Sequence, residues 1–342
     1  MPLEFEKAWS DLNVRLKELE LGSGLTAALH ALEIHHRENG FIEDTSQQLE
    51  RYTFYHPNDR QRFFRVQYNP RRALRFAGSG REHALSLNRN NGCHLCRENI
   101  YWQQQGAQLG YEIEIGERLY FALMNPFPLL PAHTVIASPE HRSQDWCIHG
   151  DEHLDVTILL DDLVRLADRM PGHLGFYNGV DAGASIPGHL HYHFAMRPDD
   201  GMVFPLEIAS RDADALSGGP GLAEHYPLDA AVWKGDGAEV VARAADWIAR
   251  WGERNRTRLA GLTANFIATR DIDGDDMALY FVPRDRARSQ AQGFTGLFGG
   301  LEVLGEIVLT NPEDKDRVRN GEIDYFTLEA ALASVHTPLD AD

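Results

Sequence analysis

Cysteine is scarce in this chain: Cys93, Cys96 and Cys147 are the only three among 342 residues. Three thiols make a poor disulfide framework, and a chain of this length can bury enough apolar surface to fold without one. Positive charge is also in short supply. Lysine and arginine total 33 against 51 acidic residues, a net charge of −18. That balance excludes nonspecific nucleic-acid binding, which needs a basic face. Any phosphate-bearing ligand must then be met by local positive potential. No apolar run approaches the ~18 residues of a membrane span, so no membrane segment is expected. The opening stretch Met1-Pro-Leu-Glu-Phe-Glu-Lys7 lacks the basic-then-apolar layout of a signal peptide. A reducing cytoplasm is the expected compartment. The apolar share of 43% and charged share of 25% are those of an ordinary globular protein.

What is present falls into a readable order. Phe5, Trp9, Leu12, Leu16 and Leu19 recur at helical steps, and a second periodic stretch runs from Leu25 to Ile34, so residues 1–50 read as helical. Residues 51–90 are arginine-rich with a strand-like Phe63–Tyr68, closed by the turn signal Asn69-Pro70. Tyr111 to Ala137 reads as β-rich. Asp155 to Met170 is an amphipathic helix stopped by Pro171-Gly172. Strands are expected at Leu174–Tyr177 and His189–Met196, with a loop from Asn178 to Gly188. The second half restarts the plan: a helix from Val240 to Trp251, then a hairpin of Ala264–Thr269 and Met277–Val282 about Asp273-Gly274. Residues 206–235 read as a connecting region, and Glu302–Thr310 as a strand or a buried helix.

The chemistry concentrates in a few segments: Cys93-His-Leu-Cys96, His133, Ser138-Pro-Glu-His141, the loop from Asn178 to Ser185, and His189-Leu-His191-Tyr-His193. On a strand, residues two apart share a face, so three alternating histidines project together. Each imidazole needs a polar partner or a ligand once buried, so this is no packing solution. Cys93-x-x-Cys96 alone reads as half of a zinc site, as a redox pair, or as two inert thiols. A single catalytic metal on all three histidines is a further option. However, the glutamate of a cupin-type site is missing after His193, and an amidohydrolase-type pair belongs near the start of a chain.

His189-Leu-His191-Tyr-His193-Phe resembles the motif of the histidine-triad superfamily. The run Tyr177–His191, together with Asn125-Pro-Phe-Pro128 and Pro131-Ala-His133, is similar to the galactose-1-phosphate uridylyltransferase and nucleotide phosphorylase branch. That branch includes diadenosine tetraphosphate and GDP-hexose phosphorylases. The resemblance covers roughly residues 63–197. It implies an α+β fold: a histidine-triad-like antiparallel sheet with packed helices, its plan duplicated and degenerate in the second half. The division expected is a helical segment 1–60, a catalytic half 61–205 and a degenerate half 206–342. The resemblance further implies structural Zn2+ on Cys93, Cys96, His141 and His189, with His191 as nucleophile. It assigns Asn178, Gly183, Ala184 and Ser185 to the phosphates, and Asn125 and Phe127 to the nucleoside. One departure stands out: the branch carries Gln two residues after the nucleophile, where this chain has His193, the habit of the hydrolases.

Imidazole suits two-step transfer of a nucleoside monophosphate because it is neutral and nucleophilic near pH 7. Its other nitrogen should donate to a fixed acceptor. Backbone N–H groups around Gly183-Ala184-Ser185 can cradle phosphoryl oxygens, and His193 can donate to a phosphate or leaving-group oxygen. For local cations the candidates are Arg284 and Arg286, with Arg71 and Arg72. The expected partners are a nucleotide sugar or dinucleoside polyphosphate, with phosphate or a sugar 1-phosphate as acceptor. No nucleic-acid or membrane partner is expected, and the resemblance allows a homodimer. The alternatives are a hydrolase using water and a zinc-stabilised nucleotide-binding protein without turnover.

Overall fold

The computed structural model describes residues 2–42, 49–77, 92–103, 106–148, 154–198, 202–213, 219–270 and 274–339. The end of the arginine-rich stretch and Asp273 of the hairpin turn lie outside these.

Two helices open the chain, α1 (Leu3–Ser23) and α2 (Leu25–Glu38). They join at Gly24, whose φ of 86° suits a residue without Cβ. Phe5, Trp9, Leu12 and Leu16 are buried, the stripe the periodicity marks. The helical reading of residues 1–60 needs correcting at its end, because Glu50–His56 is a strand, β1, paired with β2 (Asp59–Tyr68). Alternating burial along Glu-Arg-Tyr-Thr-Phe-Tyr-His has period two, which belongs to a sheet.

A short helix α3 (Arg97–Gln103) follows the Cys-x-x-Cys turn. Then come β3 (Tyr111–Ile115), β4 (Arg118–Met124) and β5 (Thr134–Ala137), and a two-residue parallel pair, β6 (Trp146–Cys147) with β7 (Leu154–Asp155). Helix α4 (Val156–Asp168) is capped by Asp155, whose carboxylate accepts from the Thr157 N–H. It leads into β8 (His173–Asn178) and β9 (His191–Met196). After α5 (Pro205–Ala209) come β10 (Gly221–Leu222), β11 (Ala231–Gly235), α6 (Gly237–Arg254), β12 (Leu262–Arg270) and β13 (Met277–Asp285). The chain closes with α7 (Gly300–Val303), β14 (Glu306–Leu309), α8 (Pro312–Arg319) and α9 (Tyr325–Ala333). The stretch Glu302–Thr310 is thus the end of a helix followed by a strand. The connecting region also contains a strand that its Gly, Pro and Asp content conceals, β11.

Nine strands form one sheet in the order β10-β11-β13-β12-β8-β9-β5-β4-β3, every neighbouring pair antiparallel. Its duplication is visible in the connectivity. Strands β4 and β5, helix α4 and hairpin β8–β9 run inward from one side. Strands β10 and β11, helix α6 and hairpin β12–β13 run inward from the other in the same sequence. The two runs meet where β8 pairs with β12, from Gly175 opposite Ala268 to Asn178 opposite Asn265.

The sheet has a core on each face. Tyr177, Tyr192 and Phe194 point into the one shared with α1, α2, α4 and α6. Leu174, Phe176 and Ala195 point into the other, beneath the small sheet β1-β2-β14 and helix α9. By the alternation of a strand, His191 and His193 share the second face with Ala195.

Gly175 has a packing reason to be glycine. It sits opposite Phe194 in register, and a Cβ there would fall 2.3 Å from the Phe194 ring. Gly175→Ala is expected to cost ~1–3 kcal/mol by overpacking. Urea unfolding checks this, and an unchanged midpoint would mean the ring moves aside freely.

Candidate functional site

Four side chains from distant parts of the chain converge beside the start of β9. Cys93 and Cys96 come from the turn before α3, His141 from the loop after β5, and His189 from the residues just ahead of β9. Their ligand atoms all lie within 4.8 Å of one another. The Sγ of Cys96 is 3.3 Å from His141 Nδ1 and 3.5 Å from His189 Nδ1, and the Sγ of Cys93 is 3.4 Å from His189 Nδ1. Bonds of ~2.3 Å to sulfur and ~2.0–2.1 Å to nitrogen put the S···N edge of a tetrahedron near ~3.5 Å, so the group could hold a metal ion. Neither thiol is in a disulfide. His189 Nε2 lies 2.8 Å from the Ser138 carbonyl, to which it donates, so its Nδ1 is the nitrogen that faces the thiols. Strand β9 begins only at His191, so the strand pleat does not orient His189. The donor cluster and Ser138 hold it instead.

His191 is gripped on every side. Its Nδ1–H donates to the carbonyl of His189 at 2.7 Å, which leaves Nε2 as the unprotonated nitrogen. Burial pushes its pKa down to about 4. The wholly buried Gln144 holds its backbone: Oε1 accepts from the His191 N–H at 2.7 Å. The amide nitrogen of Gln144 donates to the carbonyls of His191, at 2.8 Å, and Asn178, at 3.0 Å. Sequence reasoning missed this glutamine, since an amide three residues after a histidine carries no pattern.

His193 is tied to His133. The Leu129 N–H donates to His133 Nδ1 at 3.1 Å, so the His133 proton sits on Nε2. That nitrogen is 3.1 Å from His193 Nδ1, which therefore accepts. The neutral His193 thus carries its proton on Nε2. The ring stacks on Phe176 at 4.9 Å and meets His191 edge-on, also at 4.9 Å. Burial pushes His133 down to about 3.

The loop after β8 leans on the second half of the chain. Asn178 Oδ1 accepts from the Gly300 N–H at 2.8 Å and from Asn265 Nδ2 at 2.9 Å. Asn265 also donates to the Ala182 carbonyl. Gly183 has a φ of 94°, and a Cβ on it would fall 2.3 Å from the Gly299 Cα. Both facts demand glycine. A narrow cleft of 30 Å³ lies here, lined by Asn178, Gly183, Ser185 and His193 together with Arg72 and Glu302. A second cleft of 280 Å³ adjoins it and shares Arg72, Leu297 and Glu302. Ala184 is buried, and Ser185 is exposed.

Asn125 and Phe127 stand one step back from this cleft. Asn125 Oδ1 caps the Phe127 N–H, and the Phe127 carbonyl accepts from Arg72 at 2.7 Å. Arg72 is therefore the nearer cation. Arg284 is wholly buried beneath the loop, donating to Asn265 Oδ1 at 2.8 Å and to the Phe298 carbonyl at 2.9 Å. Arg286 is 2.5 Å from Asp145 and 3.8 Å from Asp181 of the loop. The Leu297–Glu302 wall was beyond sequence reasoning, being a long-range contact. Asn265 carries no local signal either: it lies inside β12, and only the pairing with β8 sets it opposite Asn178.

The family model described as domain of unknown function (DUF4922) matches residues 35–196. No curated protein sequence matches the chain. Among solved structures, the fold is similar to that of yeast Ap4A phosphorylase Apa2. The complex with AMP gives a TM-score of 0.60 at 16% identity, covering 91% of this chain and 95% of that one. The crystal structures of Apa2 itself and of its Ap4A complex give 0.61 and 0.59, each at 15% identity and covering 91% of this chain and 97% of the other. At such identity the likeness shows a shared fold.

Buried neutral histidines link stability to pH. The folded pKa values of His191 and His133, about 4 and about 3, lie below the unfolded value, so the unfolded chain binds protons first. Their contribution is complete above the unfolded pKa of ~6.5 and is lost as pH falls through the folded values. Stability is expected to drop by roughly 1.4 kcal/mol per pH unit for each such histidine below that point. Urea midpoints at stepped pH test this, and a flat profile from neutral to mildly acidic pH would refute it.

Proposed function

We propose, proceeding from the shared fold and the site geometry, that this chain is a nucleotidyltransferase or phosphorylase. It would move a nucleoside monophosphate from a dinucleoside polyphosphate or nucleotide sugar to a phosphate acceptor. The observation that carries the reading is the locked His191 ring, with Nδ1–H on the His189 carbonyl, Nε2 unprotonated and the imidazole neutral at working pH.

In the first step His191 Nε2 attacks the α-phosphorus, a P–N bond forms and the P–O bond to the leaving group breaks. His193, its proton on Nε2, donates a hydrogen bond to a phosphoryl or leaving oxygen and keeps that proton. In the second step the acceptor oxygen attacks phosphorus, the P–N bond breaks and His191 is restored. Arg72 and the backbone around Gly183-Ala184-Ser185 hold the phosphates, with Asn125 and Phe127 near the nucleoside. Arg284 adds positive charge from beneath. Residues 61–205 act as the catalytic half and 206–342 as the half that closes the cleft.

Cys93, Cys96, His141 and His189 would hold one Zn2+, with no ligand position left for chemistry. Its service is positional: it pins His189, whose carbonyl sets the tautomer of His191. A reducing compartment such as the cytoplasm keeps the thiols available.

A hydrolase is the second reading, and the His133–His193 pair favours it. With its Nδ1 held by His133, His193 presents an Nε2–H that can orient an attacking water as well as a phosphate oxygen.

Brief incubation with a labelled Ap4A-type donor should tag the chain at residue 191 through a bond stable to base and labile to acid. His191→Ala should abolish turnover and, because the ring is buried, lower the melting temperature without unfolding the chain; appreciable remaining activity would end the proposal. Adding inorganic phosphate should speed release of nucleotide if the acceptor is phosphate, and leave it unchanged if the acceptor is water.

Metal analysis should find about one zinc per chain. Cys93→Ser should lower both zinc content and stability. A protein purified without chelator that is stable and zinc-free would remove the metal from the account.

A further inference from the structure

A cavity more spacious than the cleft beside His193 lies elsewhere in this fold. A cavity of 660 Å³ lies between the β6 segment and the chain that leaves α6. This is within the usual range of small-ligand sites, roughly 300–1,000 Å³. Nothing in the proposed transfer reaction uses it.

Its walls are of two kinds. Trp146, Ile148, Leu259 and Leu262 supply an apolar lining. The indole of Trp146 is fixed edge-on against Phe266 at 5.2 Å and Phe281 at 6.4 Å, yet it stays half-exposed. Arg256 and Arg286 supply cations. Arg286 is engaged with Asp145, itself on the wall. Arg256 is exposed, and its guanidinium has no hydrogen bond or ion pair among the described residues. It belongs to the run Arg254, Arg256 and Arg258, three cations in five residues of a chain with net charge −18. Arg254 lies over Trp247, and Arg258 is bonded to Asn255 and the Pro338 carbonyl. Glu253 is on the wall too, so the pocket is not uniformly basic.

We infer that this cavity is a second binding site, for one small aromatic anion whose flat body lies against Trp146 and Leu259 and whose charge meets Arg256. An aromatic ring gains from the indole wall and the desolvated aliphatic lining. A neighbouring guanidinium selects a negative charge over a neutral analogue. The site also borders the nucleophile's support: Asp145 and Trp146 follow Gln144 directly.

The test is a fluorescence titration of the full chain with 8-anilinonaphthalene-1-sulfonate, an aromatic anion. Saturable binding of one molecule per chain is expected. Leu259→Trp, which fills the cavity, and Arg256→Glu should each weaken it by about tenfold or more. His191→Ala should leave it unchanged, which separates this site from the proposed transfer site. The uncharged N-phenyl-1-naphthylamine should bind distinctly more weakly. Absence of saturable binding, equal binding to both variants, or equal affinity for the neutral probe would each overturn the inference.

Discussion

The site depends on a hydrogen bond between two residues of one short segment, from the His191 Nδ1–H to the His189 carbonyl. Its net worth in stability is modest, about 0.5–1.5 kcal/mol. Its effect on chemistry is larger, because it decides which ring nitrogen is bare. It also joins two assemblies. The residue that accepts is the one whose side chain enters the Cys93, Cys96, His141 cluster. Anything that displaces His189 therefore moves the acceptor of His191 as well. Gln144 completes the arrangement by taking the backbone N–H and carbonyl of the same histidine, so ring and main chain are fixed by different partners.

Much of this was legible in the sequence wherever chemistry and spacing coincide. Cys93-x-x-Cys96 and alternating histidines are rare patterns, and the structure draws Cys93, Cys96, His141 and His189 together. The α+β class with a large antiparallel sheet, which the family resemblance implies and whose repeat the restarted hairpin signals, is the architecture observed. What escaped did so for physical reasons. β11 is flanked by turn-forming residues that swamp a five-residue strand signal. Arg284 stands near the end of the second hairpin strand, where a charged residue is ordinarily exposed, and nothing local says that Asn265 and Phe298 will enclose it. The Gly299–Glu302 wall owes its place to backbone contacts with Gly183 and Asn178, which leave no periodic trace.

Arg284 shows how an acidic protein can concentrate positive potential. Burial lowers its pKa to about 10, still well above neutrality, so it stays charged. Its Nε and Nη2 have no partner among the described residues. Keeping such a group desolvated costs several kcal/mol in general. In return, the underside of the Asn178–Ser185 loop carries a fixed charge in surroundings of low polarisability, where it reaches farther than a hydrated surface arginine would. The net charge of −18 describes the periphery and says little about the field inside this fold.

The short pairing of β8 with β12 has a consequence for any attempt to divide the chain. Residues 35–196 end with β9, and cutting there would leave Gly175–Asn178 as a bare sheet edge of unsatisfied N–H and carbonyl groups. Most of its side chains are apolar, and no proline or lysine blunts it. Such an edge is a template for intermolecular pairing. The isolated fragment could satisfy it by aligning with a second copy about a twofold axis, or by open-ended aggregation. Within the chain it is β12 that covers this seam, supplying the hydrogen bonds the edge of β8 would otherwise lack.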